Sequence, residues 1–180
     1  MKQPFLVGEI IYLRTIESSD LNEHYQQWFN DEEVCQFNSH HRFPSYLDNL
    51  NEYYTAVIKT KNNLVLAIVD KANDTHLGNI ALQNINYIDR SAELAIIIGE
   101  KEYWKKGVGV EACRLIIAHG FKALNLHRIY CGTSQANSGM QKLAQKLGFK
   151  EEGVQREALY KNGKYEDTVQ YGLLAYDYKE

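Results

Sequence analysis

The part of this 180-residue chain best suited by spacing to do chemistry is Gly107-Val108-Gly109-Val110-Glu111-Ala112, preceded by Lys105 and Lys106. Glycines without a Cβ let backbone N–H groups approach an anion closely. A helix that begins there adds its positive dipole end. With two lysines beside it, such a loop suits a pyrophosphate. A glycine-rich helix start with solvated lysines would read the same way, and the loop alone leaves both readings open. A nicotinamide dinucleotide is excluded. Its G-x-G-x-x-A fingerprint follows directly on a strand and needs an acidic residue about 20 positions later. Here GEKEYWKK intervenes, and the next strand, IYCGTSQ, offers no carboxylate. Cys35, His40 and His41 match no metal-ligand spacing, so no metal is expected. Cys131, within a strand pattern, reads as a small buried hydrophobe rather than a nucleophile.

The loop must be held by the elements around it. Residues 10–16 (IIYLRTI) alternate like a strand. Ser18, Ser19 and Asp20 offer N-caps, with Glu23 as capping-box partner, for a helix over 21–29. Pro44 and Ser45 open a second helix running to 58. Strands over 63–70, 77–86 and 92–98, separated by polar turns, read as an antiparallel meander. The period then changes to helical over 107–124. A strand follows over 127–133, then a helix over 137–147 closed by Gly148. Residues 149–160 and 165–174 form a hairpin around Lys161-Asn162-Gly163-Lys164. The expected architecture is one α/β (α+β) domain over 1–180. Its mixed, mostly antiparallel central sheet has about seven strands and is flanked by about four helices.

Composition narrows the function further. With 44% hydrophobic and 24% charged residues, the chain has the make-up of a globular domain, not a disordered or fibrous one. No stretch approaches the roughly 20 apolar residues of a membrane helix. The start, MKQPFLVGEII, lacks the apolar core of a secretory signal, so a cytoplasmic location is expected. Three scattered cysteines build neither a disulfide framework nor a zinc ribbon. Residues 1–54 carry three Lys/Arg against nine Asp/Glu, a net of −6, and residues 101–164 carry twelve against five, a net of +7. A pI near 6.1 argues against general nucleic-acid binding. The asymmetry suits a site that holds an anion in one part and a cation in another, although solvated helix faces would produce it too.

Taken in order, AELAIIIGEKEYW, KKGVGVEA, a long helix, HRIYCGTS, Asn137, a second helix and Leu147-Gly148-Phe149 resemble the GNAT superfamily of acetyl-CoA-dependent N-acetyltransferases. Trp104-Lys105-Lys106-Gly107-Val108-Gly109 stands where that family has Q/R-x-x-G-x-G/A, with Trp104 in place of Gln or Arg. That tryptophan resembles the RimJ/RimL-like branch, which acetylates N-terminal amines of ribosomal proteins. So do Arg14 with Asp20, Trp28-Phe29-Asn30-Asp31 with Val34, and the ending ALYKNGKYEDTVQYGLL.

The resemblance implies acetyl-CoA as cosubstrate. Lys105, Lys106, Gly107, Val108, Gly109 and Val110 would wrap its pyrophosphate. Ile97, Ile98 and Gly99 match the strand positions that pair with the pantetheine arm. Asn137 matches the asparagine that bonds the pantetheine, and it also suits an ordinary N-cap. Acetyl transfer needs a neutral amine and an exit route for its proton. Glu93, the one acid inside the strand 92–98, is the candidate base, or else a surface ladder charge. The tyrosine that protonates the thiolate in many relatives is here Ala144, and the serine used in some RimL-like members is Met140. Ser138, two residues earlier, is the nearest hydroxyl and the remaining candidate.

The acceptor implied is a primary amine: a protein N-terminus first, with a polyamine or an aminosugar as alternatives. An acyl-CoA-binding sensor of weak activity is a further alternative. Asp31, Glu32 and Glu33 would favour a cationic acceptor if they face the cleft. A monomer or homodimer is expected, with neither nucleic acid nor membrane as partner.

Overall fold

The computed structural model describes residues 1–179, and the side chains of residues 57–59 lie outside that description. In chain order the elements are β1 (Leu6–Val7), β2 (Ile11–Thr15), α1 (Glu23–Asn30), α2 (Leu47–Lys59), β3 (Leu64–Asp70), β4 (His76–Asn86), β5 (Ser91–Ile98), α3 (Val108–Lys122), β6 (Arg128–Ser134), α4 (Ser138–Lys146), β7 (Lys150–Lys161) and β8 (Lys164–Leu174). They build one eight-stranded sheet in the order β1-β2-β3-β4-β5-β6-β8-β7. The expected count of seven strands rises to eight because Leu6 and Val7 pair with Leu13 and Tyr12. Two residues are too few to show an alternation.

Every neighbouring pair is antiparallel except β5–β6. Strand alternation splits the side chains between two layers. Ile11, Leu13, Leu66, Ile68, Ile80, Leu82, Ala92 and Leu94 pack against Cys113, Ile116 and Ile117 of α3 and Ala144 of α4. Tyr12, Arg14, Ala67 and Asn79 point to the opposite face, where Asn79 Nδ2 donates to Tyr25 of α1 at 2.7 Å.

The helix starts differ from the sequence pattern for identifiable reasons. Asp20 does not cap α1. Its carboxylate is taken by both terminal nitrogens of Arg14, at 2.6 and 2.8 Å, and by Glu17 N–H at 2.7 Å. The cap passes to Asn22, whose side chain accepts from Tyr25 N–H. Ser45 likewise stays outside α2, because Asn30 holds both its N–H (2.7 Å) and its carbonyl (3.1 Å). The later signals are met. Gly148, at φ 85°, closes α4, with Phe149 N–H bonded to Ala144 O and Gly148 N–H to Gln145 O. Asn162 and Gly163, both at positive φ, turn β7 into β8.

The Arg14–Asp20 pair is buried on both sides. Burial alone would raise the Asp20 carboxyl, but the Arg14 bonds and the Glu17 N–H outweigh it and hold the group below the usual aspartate value. Its stabilising contribution is therefore complete above the unfolded pKa of about 3.9 and is lost as pH falls through the lower folded value. Asp20→Ala leaves a buried guanidinium without a partner and should cost about 3–5 kcal/mol. Urea unfolding at pH 7 checks this, and the difference from wild type should shrink at strongly acid pH.

Candidate active site

The β5–β6 ladder contains three pairs, Ser91↔Arg128, Ala92↔Ile129 and Glu93↔Tyr130, and then stops. Beyond Glu93 the two strands separate, while β5 stays paired with β4 as far as Ile98 and β6 with β8 as far as Ser134. The sheet therefore opens in its middle into a gap walled by strand edges.

Which residues line that gap follows from alternation. Gly99 N–H bonds Leu77 O, and Ile97 pairs with Asn79, so the odd-numbered residues of β5 spend their main-chain groups on β4. The even-numbered residues Ile96 and Ile98 turn theirs toward β6, into the gap. Of the three strand positions expected to meet a pantetheine arm, Ile98 has this orientation. Ile97 and Gly99 are turned to β4, and Ile96 joins Ile98 at the gap. Gly99 has a different constraint. A Cβ there would collide with the Trp28 indole, which lies across the end of β5. Trp28 is fixed by its Nε1–H donating to Glu100 Oε1 at 2.8 Å, and the His24 ring nitrogen sits against the same oxygen.

The glycine loop stands at the mouth of the gap. Lys105 (φ 62°) and Gly107 (φ 89°) are both left-handed, and Gly107 is the N-cap of α3. The first helical bond runs from Glu111 N–H to Gly107 O, so the N–H groups of Val108, Gly109 and Val110 precede the helical ladder at the positive end of the helix. Lys105, Lys106 and Gly107 are exposed. A Cβ at Gly109 would have ordinary room, 3.7 Å from Ile96 and 4.0 Å from Leu143, so this position faces the junction of β5 and α4 without a close approach. The negative charge in the first turn, Glu111, is turned away. Its carboxylate accepts Glu9 and Ile10 N–H groups at the β1–β2 turn. An anion fits this arrangement: orphan amides, a helix dipole and two exposed lysines, with the nearest carboxylate engaged elsewhere.

Across the gap, Asn137 caps α4. Its Oδ1 accepts Met140 N–H at 3.0 Å, and its Nδ2 donates to Thr133 Oγ1 at 3.0 Å. An amide can make four hydrogen bonds, so capping leaves capacity for a ligand. Ser138 is exposed at the first turn of the same helix. Met140 and the 1% exposed Ala144 pack into the core, so α4 presents no hydroxyl at either of these positions. Two hydroxyls beyond the sequence reading lie on the opposite face of β6. Tyr130 stands across from Glu93, its phenol pushed up by burial and then by the Glu93 charge. Ser134 donates to Glu166 at 2.5 Å. The alternation of HRIYCGTS carries the signal, since Tyr130 and Ser134 share one parity while Ile129 and Cys131 share the other.

Glu93 occupies the last paired position before the gap and shares the α1–α2 face with Ala95 and Ile97. Its Oε2 accepts from Asn84 Nδ2 at 3.0 Å. Cys131 is buried, and its thiol is pushed up to about 12 by burial and then by Glu93, which makes it a poor nucleophile. Among the described residues no three His, Cys, Asp or Glu groups are placed to hold a metal. His40 packs edge-on against Phe29, and Cys35 Sγ contacts the Trp28 carbonyl. The acidic stretch after α1 is partly neutralised, because Lys101 Nζ lies 2.8 Å from both Asp31 and Glu33. No helix among the described residues is long and apolar enough to cross a membrane.

A strand gap facing a dipole-capped amide loop fits a long ligand with an anionic middle and an extended thioester arm, and the comparisons with known proteins agree. Residues 11–150 match the family described as Acetyltransferase (GNAT) domain. The chain is 37% identical to "Putative ribosomal N-acetyltransferase YdaF" of Bacillus subtilis (strain 168), over 54% of this chain and 52% of that one, so the match spans about half of that relative. It is 31% identical to the spermidine N(1)-acetyltransferase of Vibrio cholerae, over 92% and 94% of the two chains. Among solved structures, the Vibrio cholerae spermidine N-acetyltransferase in complex with CoA and spermine superposes with a TM-score of 0.87 at 29% identity, covering 95% of this chain and 99% of that one. The chain thus belongs to the GNAT family and is an acetyl-CoA-dependent N-acetyltransferase.

Proposed function

We propose that the acceptor is the N-terminal amine of a protein or peptide, as in the RimJ/RimL-like branch, and that the enzyme works as one domain over 1–180 in the cytoplasm. The observation that carries this reading is the pairing of Lys101 with Asp31 and Glu33. A polyamine carries several ammonium groups and needs several unpaired carboxylates. With Asp31 and Glu33 engaged by Lys101, and Glu100 taken by Trp28 and His24, the carboxylates around the end of β5 are already matched, and Glu93 at the gap edge is left to meet one ammonium. Glu23 of α1 and Asp48 and Glu52 of α2 form no ion pair among the described residues, and they are what a polyamine would have to use. The charge total of the first 54 residues overstates the free negative charge there, because Asp31 and Glu33 are paired.

In the proposed mechanism the arm of acetyl-CoA lies along the gap edge of β5, facing Ile96 and Ile98. Val108, Gly109 and Val110 N–H groups, with Lys105 and Lys106, hold the pyrophosphate. Asn137 bonds the arm from the α4 side. The amine approaches from the α1–α2 face, where Glu93 takes its proton directly or through water. The neutral amine then attacks the thioester carbonyl, the C–S bond breaks, the thiolate takes up a proton from a nearby hydroxyl or water, and the proton that the acylated nitrogen sheds passes through water to restore that donor. Ser138 is the α4 donor, and Tyr130 and Ser134 are alternatives on β6.

The spermidine acetyltransferases among the relatives favour a second reading, a polyamine acceptor. Steady-state kinetics with a short unstructured peptide and with spermidine separates the two. The peptide should have the higher kcat/KM. Its KM should change less than about twofold on going from low salt to a Debye length of about 3 Å, because few exposed charges are involved. Efficient turnover of spermidine alone, with a KM rising steeply with salt, would overturn the peptide reading and leave the acetyltransferase intact.

A further inference from the structure

The indole of Trp104 lies between the two halves of the ligand site. It follows the short 3-10 turn Lys101–Tyr103 and immediately precedes the left-handed Lys105 that opens the glycine loop. Its Nε1–H donates to the carbonyl of Ile98 at 2.9 Å. Ile98 is the last residue of β5 and has even parity, so this carbonyl points into the gap rather than to β4. This gap-facing main-chain acceptor is thus already satisfied by the protein.

We infer that Trp104 is a positioning residue that fixes the spacing between the pyrophosphate loop and the strand edge along which the thioester arm runs. The inference rests on the loop and strand assignments above and adds to them. The bond of Trp104 to Ile98 ties the loop to β5 directionally, whereas Gly109 only faces Ile96, with room for a Cβ between them. A ligand that binds both regions at once benefits from a fixed distance between them, since the second contact then costs little further ordering. A polar Gln or Arg at this position could reach the anion. An indole, with one donor and no acceptor, spends that donor on Ile98 and leaves the anion to the backbone amides. The same bond keeps Ile98 O from competing for the arm, so the arm meets Ile96 and the Ile98 N–H.

The test compares two substrates that share a thioester arm. Acetyl-CoA spans both regions, and S-acetylpantetheine lacks the pyrophosphate and spans one. Trp104→Phe retains the ring packing and removes the donor. Its kcat/KM for acetyl-CoA should fall about 3- to 10-fold, the worth of one neutral hydrogen bond, with the change in KM. The value for S-acetylpantetheine should change less than twofold, and the melting temperature should confirm a folded protein. Gly109→Asp serves as the reference for the loop itself. If that variant loses its preference for acetyl-CoA while Trp104→Phe keeps the wild-type ratio, the inference about Trp104 is overturned and the loop assignment stands. If neither variant changes the ratio, both are overturned. An equal loss on the two substrates in Trp104→Phe would reduce Trp104 to a general packing residue and also overturn the inference.

Discussion

Gly109→Asp should fold normally and lose acetyl-CoA affinity by about 100- to 1000-fold. The folding half of the expectation follows from space. The nearest atoms to a Cβ at this position are 3.7 and 4.0 Å away, and the residue is not held at positive φ. The binding half follows from charge. A carboxylate within about 4 Å of a pyrophosphate oxygen repels it by about 4 kcal/mol at the effective dielectric of a protein surface, and it would also compete for the first-turn amides of α3. Gly107→Ala makes a useful contrast. There φ is 89°, so the substitution strains the backbone by about 1–2 kcal/mol and should lower stability together with affinity. Calorimetry of acetyl-CoA binding, with thermal unfolding of each variant, checks both halves. Unchanged affinity in folded Gly109→Asp would move the coenzyme away from this loop.

Glu93→Gln carries the second large effect. Glutamine keeps the shape and can still accept from Asn84, so the end of the β4–β5 ladder should survive. What is lost is the base. The acetylation rate should fall about 10²–10⁴-fold, with acetyl-CoA affinity within about twofold of wild type. Wild-type rates at every pH would make Glu93 a ladder charge and pass the role to another group, with Glu166 beside Ser134 the next carboxylate to test.

Much of the framework can be read in the linear sequence because its signals are local. Strand spacing marks Ile11 to Thr15, and a short apolar run bounded by polar turns marks Leu64 to Asp70. Asn162-Gly163 marks the hairpin turn, Gly148 the end of α4, and Gly107-Val108-Gly109 the start of α3. The features that escape reading depend on partners distant in sequence. Asp20 looks like a cap until Arg14 claims it, and Ser45 looks like a helix start until Asn30 does. Glu33 looks like a free negative charge until Lys101, 68 residues later, sits beside it. The orientation of β5 needs its register with β4. Without the Gly99–Leu77 bond nothing shows that Ile96 and Ile98, rather than Ile97 and Gly99, address the gap. Trp104 stands out by identity alone, but its hydrogen-bond partner needs the fold.

The three-pair ladder between β5 and β6 also bears on how the chain assembles. The pairs β1–β2, β3–β4, β4–β5 and β7–β8 join strands that follow one another across short connections, and such contacts form early. Three ladders close longer loops: β2–β3 across the segment that carries α1 and α2, β5–β6 across the α3 crossover, and β6–β8 across α4 and β7. The first returns five pairs for that ordering and the last seven, but the parallel seam returns three. The seam that stays open to admit the coenzyme is thus also the long-range ladder that gives the chain least in exchange for closing it.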